Sequence, residues 1–288
     1  MLLPSLVTLR HPPDHELSPE DIFSSSLGSI FKDDLQNQHG SDSDTTIIYR
    51  NRRYGDLEFR VAKVNGEVER MKFAHYLWNA GILMGELVGG RAREKGEGKE
   101  RLWSVKGETV LELGTGVGLA GIVSALSGAT EVTMSDYPAG NILDAITVNV
   151  AKNVPTDLRQ SVTVQDHKWG NLDTIFAQAN THRFTRILAA DCLWEMIEHN
   201  NLVSSMLHFL SQSSDARVLC IAGFHTGRAE VVNFFEATIP KTELEIEEIF
   251  EMDANGRRQP WVKEDSGGED IGERKKWLVV ARLRRKCL

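Results

Sequence analysis

The sequence predicts an α/β fold in which helices cover both faces of a mostly parallel sheet. One observation is an apolar strand at residues 109–113 that runs into glycines at alternate positions. A second is the strand at residues 131–136, which ends in a carboxylate about 20 residues beyond those glycines. A third is the alternation of short apolar runs with helical patterns as far as residue 238. Such alternation is typical of parallel strands joined by crossover helices.

The predicted elements follow one another in a regular order. An accessory hairpin at residues 45–50 and 57–64 comes first, and a helical pattern at residues 69–87 follows it. Sheet strands are predicted at residues 109–113, 131–136, 161–166, 186–191, 217–223, 244–252 and 276–283. Helices are predicted at residues 119–126, 138–150, 200–210 and 227–238. The result is a Rossmann-like sheet of seven strands, but a long polar loop at residues 253–273 departs from a dinucleotide fold.

Composition indicates how the chain is organised. Residues 1–44 mix prolines, serines and acids, and we expect them to be partly disordered. Residues 45–288 are expected to form one domain, which includes the hairpin and the first helix. Residues 244–252 alternate glutamates with apolar residues, which predicts a half-exposed strand at the edge of the sheet.

The glycine segment carries the first chemical signal. Gly114, Gly116 and Gly118 let the backbone turn tightly and approach a ligand closely. In dinucleotide folds such glycines seat a pyrophosphate at a helix N-terminus, but Glu112 just before them would repel a pyrophosphate. A carboxylate here suits a cationic ligand such as S-adenosylmethionine, which carries a sulfonium and an ammonium. The pattern Glu-x-Gly-x-Gly-x-Gly resembles motif I of the seven-strand methyltransferases, and a purely structural turn is the alternative.

The ends of the second and third strands indicate where an adenosyl group would bind. Asp136 can accept two hydrogen bonds in a forked geometry, which suits the vicinal diol of a ribose. Trp169, in the loop after the third strand, can stack on an adenine base. Asp166 is the alternative adenine contact, through the exocyclic amine. For Asp136 and Trp169 a solvated or purely structural position is the competing interpretation.

Residues after the fourth and fifth strands are expected on the cleft side of the sheet, where parallel α/β folds bind ligands. Asp191 ends the fourth strand and could orient a cofactor ammonium or a substrate amine. His225 and Arg228 follow the fifth strand and are expected to project to the same side. His225 could serve as a general base or could shape the substrate channel, and the sequence leaves both roles open.

Charge and cysteine content argue against several classes of function. The formal net charge of -8 argues against nonspecific nucleic-acid binding, because phosphates would be repelled, and it permits a basic protein or peptide partner. Cys192, Cys220 and Cys287 have no paired or zinc-like spacing, so we expect no metal site and buried thiols in a reducing compartment. We find no signal peptide and no apolar run of about 20 residues, and therefore expect a cytoplasmic protein without a membrane partner.

Several segments resemble one branch of the seven-strand methyltransferases. They are the glycine motif, Trp-Asn-Ala-Gly at residues 78–81, Asp-Cys-Leu-Trp at residues 191–194 and Phe-His-Thr-Gly-Arg at residues 224–228. On these residues the chain resembles the lysine methyltransferases of methyltransferase-like families 21 and 16. The greatest likeness is to the fungal N-terminal and lysine methyltransferases of elongation factor 1-alpha, once labelled nicotinamide N-methyltransferases. The likeness departs at residues 195–198.

The resemblance implies an antiparallel last strand, S-adenosyl-L-methionine as cofactor and methyl transfer to an amine. It places Trp78 on the helix before the core and against the methionine end of the cofactor, where a ring face attracts the sulfonium; core packing is the alternative. It implies a backbone contact from Ala190. The implied cofactor-binding residues are Trp78, Glu112, Gly114, Thr115, Gly116, Asp136, Trp169 and Ala190. The implied catalytic residues are Asp191, Trp194 and His225.

The resemblance also implies a protein substrate, namely the N-terminal α-amine and an adjacent lysine of elongation factor 1-alpha. An amine must be neutral to attack, and burial between aromatic residues such as Trp194 and Phe224 would lower the pKa of a lysine. We expect the protein to be a monomer. Two alternatives stay open, which are N-methylation of a small molecule such as nicotinamide and a non-catalytic adapter that only binds the cofactor.

Overall fold

The computed structural model describes residues 3–12, 37–40, 44–63, 74, 76–90, 102–263 and 271–286. The first elements are β1 (Val7–Arg10), β2 (Gln38–His39), β3 (Thr46–Asn51), β4 (Gly55–Arg60), β5 (Leu77–Trp78) and α1 (Asn79–Val88). They are followed by β6 (Thr109–Leu113), α2 (Leu119–Leu126), β7 (Glu131–Asp136), α3 (Gly140–Asn153), α4 (Thr156–Arg159) and β8 (Val162–Asp166). Next come α5 (Ile175–Ala179), β9 (Arg186–Ala190), α6 (His199–Phe209), β10 (Arg217–Gly223) and α7 (Arg228–Val232). The last elements are β11 (Leu244–Asp253), β12 (Arg258–Pro260), α8 (Ile271–Arg274) and β13 (Trp277–Arg285).

In the described part of the chain, eight strands form the central sheet, in the order β12-β11-β13-β10-β9-β6-β7-β8. From β10 to β8 all neighbours are parallel, whereas β13 runs antiparallel to both β10 and β11. The predicted α/β fold with a mostly parallel sheet and an antiparallel last strand is therefore confirmed. The seven predicted strands are joined by β12, which pairs with β11 at residues 250–252. β11 is therefore not the edge of the sheet at residues 250–252, and the loop predicted at residues 253–273 contains a short strand.

Side chains of the sheet alternate between two apolar layers, which is why helices cover both faces. Along β10, Val218, Cys220 and Ala222 belong to one layer, and Leu219 and Ile221 belong to the other. The first layer includes the apolar face of α6, and the second includes the apolar faces of α1, α2 and α3. The central strands are thus buried on both sides, as parallel strands usually are.

A separate three-stranded antiparallel sheet contains the predicted hairpin, β3 and β4, with β1 added beside β3. Two asparagines of α3 occupy the free edge of β4. Asn153 bonds both backbone groups of Glu58, and Asn149 bonds both backbone groups of Arg60, at 2.7–2.8 Å. The side-chain amides thus satisfy the edge as a further strand would, and they attach this small sheet to the main domain.

Several predicted boundaries were wrong. Trp78 does not lie on a helix, because α1 begins at Asn79 and Trp78 belongs to β5, which pairs with β2. Residues 69–73 and 75 of that predicted helix lie outside the described residues. Pro138 precedes α3 rather than opening it, and the helix predicted at residues 227–238 is α7 followed by a π-helix, Asn233–Thr238.

The prediction of buried cysteines is confirmed at the two positions that the structure describes. Cys192 and Cys220 are buried free thiols, and burial raises the pKa of both. Cys287 lies outside the described residues, as does most of residues 1–44, although Leu3 is buried. None of the described helices combines the length and apolar character needed to cross a membrane.

Candidate functional site

The turn after β6 is built from three glycines with positive φ angles. The angles are 66° at Gly114, 57° at Gly116 and 90° at Gly118, in a region that other residues rarely adopt. A Cβ atom on Gly114 would lie 2.8 Å from Sγ of Cys192 and 3.1 Å from the Trp169 ring. Both the backbone conformation and the close packing therefore require glycine at this turn.

Asp136, the last residue of β7, holds the glycine turn. Its Oδ2 accepts a 2.7 Å hydrogen bond from the backbone N–H of Gly116, and its Oδ1 accepts one of 2.7 Å from Tyr137. Burial raises the pKa of the Asp136 carboxyl above its usual range, although both hydrogen bonds oppose that rise. Each carboxylate oxygen can accept a second hydrogen bond, so acceptor capacity remains for a ligand.

Glu112 links β6 to the start of α2. Its Oε2 accepts a 3.0 Å hydrogen bond from the backbone N–H of Gly121, and only 3% of the residue is exposed. Burial raises the pKa of the Glu112 carboxyl to about 8, with a smaller contribution from the charge of Asp136. At neutral pH the carboxyl is therefore largely protonated, whereas the sequence interpretation gave it a negative charge. A nearby cation would lower this pKa again.

The carboxyl ends of β6, β7, β8 and β9 border a cleft beside the glycine turn. It holds about 950 Å³ of space, open mouth included, within the roughly 300–1,000 Å³ of small-molecule and cofactor sites. The predicted site residues that line it are Trp78, Glu112, Gly114, Thr115, Gly116, Asp136, Trp169, Ala190, Asp191 and Trp194. The structure thus brings together every predicted site residue except His225.

Sequence reasoning missed part of the cleft wall. The additional residues include Tyr76, Tyr137 and His167. Tyr137 and His167 directly follow the carboxylates that end β7 and β8, and that position could have indicated them. No comparable signal marked Tyr76, because the fold brings it beside the glycine turn from a distant part of the sequence.

Asp191 lies in the turn after β9. The predicted strand included Asp191 as its last residue, but β9 ends one residue earlier, at Ala190. Its φ of 60° is uncommon outside glycine, although Asp tolerates this region. Its Oδ1 accepts a 3.0 Å hydrogen bond from the backbone N–H of Gly223 and lies 3.8 Å from Nδ1 of His225. Burial raises the pKa of the Asp191 carboxyl, and the neighbouring His225 and Gly223 oppose that rise.

His225 does not line the cleft, but its ring lies against Trp78, which does. The two rings stack with their centroids 4.6 Å apart and an interplanar angle of 16°. Tyr76 meets the same indole edge-on at 5.7 Å. Trp78 is therefore held between a stacking partner and an edge contact, and His225 supports a wall residue instead of forming the wall.

Two residues near His225 do not lie where the sequence placed them. Arg228 is 2% exposed and forms an ion pair with the fully buried Glu251, so it does not project into the cleft. Phe224 is also buried, with the Arg228 guanidinium 4.2 Å from its ring centroid and Trp261 stacked at 6.3 Å. The expectation that Phe224 flanks a substrate amine beside Trp194 was therefore wrong.

Ser205 of α6 holds the loop that carries Trp169. Its hydroxyl accepts a 2.9 Å hydrogen bond from the backbone N–H of Gly170 and contacts Nε2 of His167 at 2.9 Å. Burial lowers the pKa of His167 to about 4, so the ring is neutral at pH 7. Its Nδ1 has no hydrogen-bond partner within the described residues. Asp166, the alternative adenine contact, is exposed and is not part of the described cleft wall.

Acidic side chains predominate in the cleft wall. Among the described residues they are Glu112, Asp136, Asp191, Glu195 and Glu198, against one lysine, Lys168. A cleft with this balance favours a cationic ligand. In the described ranges, no group of three or more His, Cys, Asp or Glu side chains could hold a metal ion.

Solved structures share this fold. A Pyrococcus horikoshii protein assigned as an RNA methyltransferase has a TM-score of 0.50 and 14% identity, over 79% of this chain and 92% of its own. A protein assigned as a methyltransferase and complexed with SAH also has a TM-score of 0.50, with 12% identity over 86% of this chain and 56% of its own. With the glycine turn and its cleft, this fold defines the class of S-adenosylmethionine-dependent methyltransferases.

Within that class, the chain belongs to the lysine methyltransferase family, whose model matches residues 33–239. Its cofactor is S-adenosylmethionine. The protein N-terminal and lysine N-methyltransferase efm7 of Emericella nidulans is 31% identical, over 55% of this chain and 63% of its own length. The Schizosaccharomyces pombe protein of the same name is 28% identical, over 69% of this chain and 74% of its own length. The chain thus matches roughly two-thirds of the length of these relatives.

Proposed function

We propose that this protein methylates amines of a protein substrate, namely the N-terminal α-amine and an adjacent lysine of elongation factor 1-alpha. The observation that carries the proposal is one wall of the cleft, which contains Trp194 together with Asp191, Glu195 and Glu198. Carboxyl groups attract a cationic amine by charge, and an indole attracts it through its ring face. The names of the efm7 relatives support a protein amine, and the sequence resemblance alone supports the elongation factor.

The cleft wall supports a definite orientation of the cofactor. The unused acceptor sites of Asp136 would receive the ribose hydroxyls, and Trp169 would stack on the adenine, with the neutral His167 beside it. Trp78 and the backbone at Ala190 border the methionine end. A bound cationic cofactor would lower the pKa of Glu112 and so favour its charged form. When bound, the cofactor supplies an electrophilic methyl group on its sulfonium.

The chain's own residues then prepare the amine. An α-amine has a pKa of about 7.7–8.0 and a lysine about 10.4, so the lysine needs more help to become neutral. Trp194 removes water from the amine, which favours its neutral form, while the surrounding carboxyls oppose this. An Asp191 oxygen accepts an N–H hydrogen bond and orients the amine lone pair.

Three substrates test the proposal with labelled cofactor and mass spectrometry. They are a peptide of the first fifteen residues of elongation factor 1-alpha with a free N-terminus, its Nα-acetylated form, and nicotinamide. We expect an N-terminal product from the free peptide and none from the acetylated one, because acetylation removes the nucleophile. Turnover of nicotinamide without a peptide product would establish the small-molecule alternative. Cofactor binding without transfer to any substrate would support the adapter.

We further propose that the protein acts as a monomer in the cytoplasm. The buried free thiols support a reducing compartment such as the cytoplasm. The negative net charge supports a basic protein end as the partner and argues against nucleic acid. Light scattering on the purified protein and imaging of a tagged chain test the two statements.

A further inference from the structure

A short ridge separates the cleft from a second concave surface. The ridge is the segment 194–198, which includes a 3-10 helix at Met196–Glu198. Trp194, Glu195 and Glu198 line the cleft on one side. Met196 and Ile197 line the second surface, which we call the rear groove, on the other. The two concavities therefore share one wall.

The rear groove lies between the start of α6 and the π-helix. The described residues that line it are Met196, Ile197, His199, Asn200, Asn233, Ala237, Thr238 and Lys241. It holds about 970 Å³ of space, open mouth included. A π-helix is rare and is often found at functional sites. Here it contributes three of the groove-lining side chains, Asn233, Ala237 and Thr238.

Two observations indicate that the groove receives a ligand. Met196 is 45% exposed and Ile197 is 80% exposed, so two adjacent large apolar side chains stand in water on one rim. His199 is 1% exposed, and its Nδ1 has no hydrogen-bond partner in the part of the chain that the structure describes. An apolar rim beside an unused polar atom suits a peptide, which offers both apolar side chains and backbone hydrogen-bonding groups.

The shared wall indicates which peptide the rear groove binds. A basic chain end held in the cleft by Glu195 and Glu198 lies against the ridge, and the rear groove begins on the far side of that ridge. An extended chain advances about 3.3 Å per residue, so a few residues cover the distance from a buried amine to a neighbouring surface. The acidic residues on the cleft side of the ridge therefore contact the basic end of the substrate. The apolar rim, Met196 and Ile197, contacts the substrate residues that follow this end.

We propose that the rear groove binds the segment of the protein substrate that follows its methylated end, with an apolar side chain placed on Met196 and Ile197. This inference rests on the proposed function and specifies its substrate class. The substrate is an extended N-terminal segment whose basic first residues are followed, several positions later, by an apolar residue. Recognition of this segment distinguishes the correct protein from other free amines.

The test compares substrate peptides of two lengths and combines them with a substitution at one exposed residue of the rear groove. Ile197→Glu puts a charge on the apolar rim, and Ile175→Glu is the matched control, because Ile175 is 88% exposed on α5 and lines neither concavity. The substrates are peptides of the first four and the first fifteen residues of elongation factor 1-alpha. Steady-state kinetics and cofactor affinity are measured for the wild-type protein and both variants.

We expect the wild-type protein to have a lower KM for the longer peptide. Ile197→Glu should raise that KM about tenfold or more, since an apolar contact is lost and a charge is buried. The KM for the short peptide, the kcat and the cofactor affinity should stay unchanged, and Ile175→Glu should change none of them. Equal KM values for the two wild-type peptides, or equal effects of Ile197→Glu on both, would overturn the inference while leaving the proposed function intact. If the wild-type protein methylates neither peptide, the proposed function fails and the inference fails with it.

Discussion

The carboxylate of Asp136 and the backbone amide of Gly116 are joined by a 2.7 Å hydrogen bond, which ties the end of β7 to the glycine turn after β6. Gly116 has a φ of 57°, so the bond stabilises a backbone conformation that is otherwise weakly populated. Asp136 also lines the cleft. One side chain therefore shapes the cofactor site and remains available to a ligand.

This double role predicts that Asp136→Ala abolishes tight cofactor binding without unfolding the chain. Each charge-assisted hydrogen bond that is lost should cost about 1.5–3 kcal/mol. Calorimetric titration of S-adenosylmethionine measures the loss. The exposed Asp157→Asn is the control and should bind the cofactor normally. Wild-type affinity in Asp136→Ala would remove this residue from the site.

The glycine turn could be predicted because its chemistry is local. Gly114, Gly116 and Gly118 stand at fixed offsets from a strand, and the strand end at Asp136 follows at a typical spacing. Trp78 shows the limit of this reasoning. Its place in β5 depends on pairing with Gln38 and His39, which are about 40 residues away in sequence. A periodicity argument considers only neighbouring residues and extended the helix through Trp78.

The environment of Glu112 predicts a pH-dependent stability. Its pKa is about 8 in the folded protein against a usual value of 4.5. Between these values the folded state keeps a proton that the unfolded chain releases, so stability falls as pH rises through this window. Glu112→Gln stays neutral and retains an acceptor for Gly121. The free energy of unfolding of Glu112→Gln, relative to that of the wild-type protein, should therefore increase from pH 5 to pH 8. The increase should be on the order of a few kcal/mol.

Thermal unfolding at several pH values measures this difference. Asp157→Asn serves again as the control, because an exposed acid should give a Tm curve parallel to that of the wild-type protein. If Glu112→Gln also gives a parallel curve, the folded-state pKa of Glu112 is not raised.

The ion pair between Arg228 and Glu251 predicts a large stability effect away from the cleft. Glu251 is fully buried and also accepts hydrogen bonds from Gln259 and Val262. Arg228→Met should cost about 3–5 kcal/mol, because it leaves a buried carboxylate without its cation. Lys263→Met breaks the exposed pair with Glu236 and should cost less than about 1 kcal/mol.

Denaturant unfolding of the single variants and of Arg228→Met with Glu251→Gln checks this account. The double variant should recover part of the stability, since the unpaired charge is gone. If Arg228→Met lowered the free energy of unfolding no more than Lys263→Met does, the proposed importance of the buried ion pair would be contradicted.

Arg228 also shows why part of the site could not be predicted. The segment 224–228 follows a strand at its cleft end, and that position is what the sequence reveals. Glu251, which captures the Arg228 side chain, comes from β11, and Trp261, which covers Phe224, comes from the segment after β12. These contacts join distant parts of the chain, and they direct both side chains away from the cleft.

The stack of His225 on Trp78 distinguishes a positioning role from a base. If His225 positions Trp78 through its ring face, His225→Phe should retain most of the activity, and His225→Ala should lose it in part. If His225 is a general base, both variants should lose about 10²–10⁴-fold in kcat. We expect the first result, because His225 stacks on Trp78 and is not itself part of the described cleft wall. Rates across pH 6–9 complete the test, since removal of a base would also abolish one limb of the pH profile, whereas loss of a stacking partner would lower the rate equally at every pH.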